Sequence, residues 1–213
     1  IIEPKIGRGK FRCIACNSPV DLGYIRDEFK AKRMKCQMLA IVAEGKGGRL
    51  YFPPNIEHIR IANVKKPNKY PNGLLSGKSK VNVGTYGIKE FSELFTNRQL
   101  HALVTLSELI SVTKEEIIKD GGSMEYALAV CTYLSFVIDK QVDFSSTITT
   151  WINASQSIRN TFARQAIPMT WDYAETNIFS NSSGSFSNML DLIVKSIKNL
   201  PYQGKSGKVI QAN

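Results

Sequence analysis

Four stretches of the chain carry a clear hydrophobic period. Phe186, Met189, Leu190, Ile193, Val194 and Ile197 recur at helical spacing and predict the cleanest amphipathic helix, closed by Leu200-Pro201. Leu100, Leu103, Val104, Ser107 and Ile110 predict a second. It opens on Thr96-Asn97-Arg98-Gln99, a capping box in which Thr96 accepts from the backbone and Gln99 reaches back. Glu108 to Asp120 form its charged exit and Gly121-Gly122 stop it. Tyr126, Val130, Tyr133, Leu134 and Val137 share one face of a third helix over residues 123–141, with Cys131 as a buried, inert thiol. Residues 38–52, MLAIVAEGKGGRLYF, hold two apolar runs around Glu-Gly-Lys-Gly-Gly and predict a hairpin.

Shorter signals fill the gaps. Pro53-Pro54 suit the first turn of a helix over IEHIRIANV. Residues 63–84 are rich in Asn, Lys, Gly and Pro and predict a linker and a domain boundary. Ile88, Phe91 and Phe95 make a short apolar stripe, Phe144 and Trp151 anchor a polar stretch over 142–156, and residues 208–212 predict a last strand. The sum is a mixed α and β chain. A basic ribbon and hairpin part, 1–84, precedes a mainly helical part, 85–213.

Charge sharpens this division. Residues 1–90 hold 18 Lys and Arg against 7 Asp and Glu, while residues 91–213 hold 10 against 11. A basic front half points to a polyanion-facing module, with ordinary solvated lysines as the plainer alternative. Arg26, Lys30, Lys32, Arg33 and Lys35 cluster in one short stretch as candidate phosphate contacts. At 213 residues and 43% hydrophobic, the chain suffices for one sizeable core, and no apolar run approaches the roughly 20 residues that cross a bilayer. The opening IIEPKIGRGK lacks Met and any secretory pattern, which reads as a cytoplasmic piece of something longer.

Cys13 and Cys16 form a C-x-x-C pair of the kind that holds half a tetrahedral zinc site from a turn. No second pair follows. Cys36 and His58 are the remaining candidates for third and fourth ligands, and two metal-free thiols are the alternative. The G-x-G-G after the run at 38–43 mimics a cofactor loop, yet that chemistry needs a helix after the glycines, and Arg49-Leu50-Tyr51-Phe52 reads as a strand. Phe52-Pro53-Pro54-Asn55 mimics, in reverse order, the acid-or-amide, two-proline, aromatic motif of adenine methylases.

Residues 157–186, SIRNTFARQAIPMTWDYAETNIFSNSSGSF, interleave aromatics with charges, as a walled pocket or a loop with internal salt bridges would. Paired carboxylates there suggest acid–base work, but neither His58 nor His101 lies near in sequence. Arg164 to Glu175 and Phe179 to Gly184, together with Phe95 to Leu100, resemble the signature of the large adenine-specific DNA methylases that carry a zinc-ribbon insertion. That family more often has proline after the asparagine, where this chain has Ile178.

The resemblance covers the chain from about Cys13 to Asn213. It implies a fragment of a Rossmann-like class I methyltransferase, moving a methyl group from S-adenosylmethionine to the adenine amine of DNA. In such a parent the cofactor loop and catalytic proline–proline motif lie outside this stretch, so the fragment is expected to be silent by itself. The expected partners are DNA and the rest of the parent polypeptide, with no membrane, and zinc is a possible second cofactor. DNA contacts are expected from the basic cluster and from Arg98, Arg164, Gln165 and Trp171, and a pocket from Asp172, Tyr173, Glu175 and Asn177. The cysteine pair stands as half a ribbon whose other knuckle lies upstream. For Arg98 the sequence leaves two partners open, DNA or an internal carboxylate. A stand-alone nucleic-acid-binding module and a plain interaction scaffold are the rival readings.

Overall fold

Residues 5–7, 10–201, 207, 209 and 210 are described by a computed structural model. They form small antiparallel sheets and six α-helices, a mixed α and β architecture. Strands β1 (Lys5–Gly7), β2 (Lys10–Arg12) and β3 (Pro19–Asp21) pair in sequence order, each antiparallel to the next. Asp21 caps helix α1 (Leu22–Lys30) by accepting from the Tyr24 N–H at 2.9 Å. Strands β4 (Ile41–Gly45) and β5 (Gly48–Phe52) make the expected hairpin, in register from Ile41↔Phe52 to Gly45↔Gly48. The glycine-rich stretch is thus its turn, with a strand on either side.

Helix α2 (Ile56–Ala62) follows. The prolines precede this helix instead of entering its first turn, because Asn55 takes the cap and His58 completes a capping box.

The segment expected as a linker is built into the core. Leu75 and Val83 are buried, and residues 63–84 hold the short helix α3 (Gly77–Lys80) and the start of a 3₁₀ turn, Val83–Tyr86. Leu75, Val83, Ile88, Leu94, Ile148 and Ile167 form one buried cluster, joined by Phe29, Phe95 and Met169. The boundary placed at residue 84 therefore runs through the core. Composition misleads here because lysines and asparagines stay in water while a few apolar positions turn inward. The apolar stripe at 88–95 holds only a short helical turn. Phe91–Leu94 is a 3₁₀ turn that buries Leu94 and leaves Phe91 exposed.

Two long helices follow. Helix α4 (Asn97–Lys119) starts on the expected Thr96–Gln99 box, with Thr96 Oγ1 accepting from Gln99 N at 3.2 Å and Gln99 Oε1 accepting from Thr96 N at 2.8 Å. Gly121, at φ +89, follows its C-cap. Helix α5 (Met124–Phe144) packs against α4 and against helix α6 (Phe186–Lys198). Its buried face is Ala127, Cys131, Val137 and Gln141, while Tyr126 is exposed. Small Ala127 and Cys131 suit a close approach to α4, and the Cys131 thiol lies 3.5 Å from the Ile110 carbonyl. Val130, Tyr133 and Leu134 line the groove toward Ile193, Val194 and Ile197 of α6.

Residues 142–156 include strand β6 (Thr150–Ile152), which pairs antiparallel with β7 (Ser157–Arg159). The strand expected at 208–212 falls mostly outside the described residues. Among those described, no helix is long and apolar enough to cross a membrane.

One ion pair ties the residues just after α1 to the core turn. Lys32 Nζ donates to Glu93 Oε1 at 2.7 Å, and Glu93 Oε2 accepts from the Lys89 N–H at 2.6 Å. Burial opposes ionisation of Glu93, but Lys32 and the Lys89 and Glu90 amides outweigh it and lower its pKa. A carboxylate lowered in the fold contributes stability above its unfolded pKa, and that contribution fades as pH falls through the folded value. Glu93→Gln should therefore narrow its stability gap to wild type between pH 6, above the ordinary Glu value of about 4.3, and pH 3, below it. Urea midpoints at both pH values check this. A gap that stays constant, or widens in acid, refutes it.

Candidate functional site: the Arg98–Glu175 clamp and the Trp171 face

The two motif stretches meet at one ion pair. Arg98, in the first turn of α4, donates from Nε to Glu175 Oε1 and from Nη2 to Glu175 Oε2, both at 2.8 Å. Thr96 Oγ1 donates to the same carboxylate at 3.4 Å, and Arg98 Nη1 donates to the Ala62 carbonyl at the end of α2. One guanidinium thus joins α2, α4 and the 171–177 segment. The hydrogen bonds to Glu175 raise the Arg98 pKa against the opposing effect of burial, so this cation is permanent. Of the two partners left open for Arg98, the internal carboxylate is the one it takes. Glu175 is likewise committed to this pair.

Other polar residues of the segment are also engaged locally. Asn177 Oδ1 accepts from the Phe179 N–H at 3.0 Å and its carbonyl accepts from Ser180 Oγ at 2.8 Å, so it shapes its own turn and faces no pocket. Gln165 Oε1 accepts from Lys78 Nζ at 2.9 Å. Tyr173 is half-buried, and burial, followed by the neighbouring Cys36 thiol and Glu175, pushes its phenol well up, opposed by Arg98. Asp172 and Arg164 are exposed and make no hydrogen bond among the described residues. Of the expected pocket residues, Glu175 and Asn177 are thus engaged with neighbours and with their own turn, while Asp172 stays open to water. Thr170 Oγ1 donates to the Ile148 carbonyl at 3.1 Å and stitches the segment to the core.

Trp171 points the other way. It is 49% exposed and meets Tyr86 edge to face at 5.4 Å and Phe29 at 6.3 Å. The Arg26 guanidinium lies over the Tyr86 ring at 5.5 Å. Lys80 covers Gly84, where an added Cβ would stand 2.7 Å from its Cγ. Lys30 covers Gly87 in the same way, its Cγ 3.0 Å from such a Cβ. Four cations thus lie around this aromatic group, Arg26 and Lys30 from α1 and Lys78 and Lys80 from α3.

The basic cluster of 26–35 is less free than its sequence implies. Lys32 pairs with Glu93, Arg33 pairs in two-pronged fashion with Glu28 at 2.8 and 2.6 Å, and Lys30 lies 3.5 Å from Asp27. Lys35 is exposed without a partner among the described residues. Sequence reasoning missed Phe29, Tyr86, Lys78 and Lys80. An aromatic set between Gly84 and Gly87 was the one local hint for Tyr86.

Cys13 and Cys16 sit at the tip of the β2–β3 hairpin. The turn is closed by Cys13 N–H to the Ser18 carbonyl at 2.9 Å and Asn17 N–H to the Cys13 carbonyl at 2.8 Å. Hydrogen bonding to Ser18, and to Cys13, lowers the Cys16 thiol pKa. This suits one half of a thiolate site. Among the described residues no group of three or more His, Cys, Asp or Glu could hold a metal ion. His58 is spent in the α2 capping box and Cys36 lies near Tyr173, so neither completes a site with the pair.

No family model matches this chain, and no curated protein or solved structure does either.

Proposed function

We propose that this chain is the ribbon and mid-domain portion of an adenine-specific DNA methyltransferase that uses S-adenosylmethionine, built on a Rossmann-like class I parent. In this reading it serves as scaffold and DNA-facing surface, and the cofactor loop and proline–proline motif belong to the rest of the parent. The observation that carries it is the Arg98–Glu175 pair. The two stretches that resemble the family, around Phe95–Leu100 and Arg164–Gly184, are 77 positions apart at this contact and are held by one guanidinium. Through this contact the two stretches act as one structural unit. The glycine-rich turn between β4 and β5 leads into a strand, so it offers no helix N-terminus to a cofactor. The cysteine hairpin fits half of a zinc ribbon, its partner knuckle supplied by the parent.

Titration calorimetry tests the silent-fragment part. The expected result is no heat of binding with S-adenosylmethionine, and micromolar affinity in this chain overturns it. The parent class is tested by the flanking gene sequence, where a glycine-rich loop followed by a helix and an Asp/Asn-Pro-Pro-aromatic motif are expected. The cation-ringed Trp171 also favours a second reading, a nucleic-acid-binding accessory module without methylase chemistry. A flanking sequence lacking both motifs would favour that alternative.

A further inference from the structure

We infer that the Trp171 face binds an unstacked strand of nucleic acid, one base lying on the indole and its flanking phosphates met by Lys80, Lys78, Lys30 and Arg26. The inference rests on the nucleic-acid-facing reading above and names the form of nucleic acid that the face takes. Two independent features carry it. The first is that half of the Trp171 surface stays in water although the ring already has two aromatic neighbours. Tyr86 and Phe29 meet the indole at interplanar angles of 81° and 82°, so neither ring lies parallel on it, which fits a fixed platform for a base. The second is the cations around it. Lys80 and Lys30 lie over Gly84 and Gly87, on either side of Tyr86, and Lys78 reaches Gln165, six residues before Trp171.

An aromatic platform ringed by cations suits a single strand better than a duplex. Every base has a π-face to stack, but inside a duplex both faces are occupied by neighbouring base pairs. The acids nearest in sequence temper the patch without cancelling it. Asp27 is shared with Lys30 at 3.5 Å, and Asp172 follows Trp171.

Fluorescence anisotropy on the full chain tests this, using a fluorescein-labelled 12-nucleotide mixed-sequence DNA strand and the same sequence as a duplex. The strand should bind at least tenfold more tightly than the duplex at 50 mM salt. Trp171→Ala should weaken strand binding roughly tenfold, and Trp171→Phe should restore most of it. Lys80→Gln should lower the salt slope by roughly 0.7. In a Trp151→Phe background the remaining Trp171 emission should be quenched on adding the strand. Circular dichroism of each variant separates lost fold from lost platform. Duplex binding equal to strand binding, or a Trp171→Ala effect under twofold in a folded variant, overturns this inference and leaves the DNA-facing reading standing. Binding to neither form at low salt overturns both.

Discussion

Arg98→Ala should destabilise the chain by about 2 kcal/mol, the largest effect expected of any charged residue on this surface. Exposed ion pairs contribute little, typically under ~1 kcal/mol, because water screens them and long side chains lose entropy. Arg98 differs in three respects. Only 35% of its side chain is exposed, its fork meets both oxygens of Glu175, and its third nitrogen serves the Ala62 carbonyl. Removing it strands a carboxylate of which 26% is exposed and a carbonyl at a helix end. For a chain of this size, a loss of about 2 kcal/mol lowers the melting temperature by roughly 4–8 °C. Arg98→Lys should recover less than half of this, since an ammonium cannot span two oxygens and a carbonyl together. A double-mutant cycle with Glu175→Ala should give a coupling of about 1 kcal/mol. A melting temperature within one degree of wild type for Arg98→Ala would mean that water already supplies what the clamp supplies.

Gly184→Ala should cost about 2–4 kcal/mol, read as a lowered urea midpoint at unchanged slope. Gly184 adopts φ +87 immediately before the Ser185 cap of α6, a conformation that side chains rarely take. It is also buried, and an added Cβ would run into Thr176 Cγ2 and come within 3.5 Å of Phe144 Cβ. Thr176 cannot swing away freely, because its hydroxyl lies 3.3 Å from both Ser145 Oγ and the Phe144 carbonyl. The Gly184 carbonyl, moreover, accepts from the buried Gln141 side chain at 2.6 Å. Gly121→Ala is the comparison. Its φ is +89 but a Cβ there meets nothing within 4 Å, so only the backbone cost of about 1 kcal/mol applies. Equal losses at the two positions would show that crowding at Gly184 is relieved by the neighbouring loop.

Both residues lie in the stretches that carry the family resemblance, and both have a physical reason to be there. Gly184 ends the N-x-F-S-x-S-S-G run because the turn into α6 needs positive φ and no side chain. Arg98 and Glu175 recur in the motif text as separate letters, yet they act as one contact. Asp172 and Trp171, between them in sequence, are among the residues of the segment left facing water.

What could be read from the residue order was local. The Thr96–Gln99 box, the β4–β5 hairpin around its glycines and the apolar face of α6 involve partners within a few positions, so short-range sterics and hydrogen bonding suffice to write them. Tertiary structure decided everything that depends on distant partners. It gave Arg98 to Glu175, paired Lys32 with Glu93, and turned a lysine-rich linker into a wall of the core through Leu75 and Val83. Charge counts cannot anticipate such pairings, because whether a cation faces solvent or a carboxylate is set by chain segments that meet only after collapse. Trp171 owes its surroundings to the same circumstance: Tyr86 and Phe29, far off along the chain, meet it nearly at right angles while about half of it stays in water.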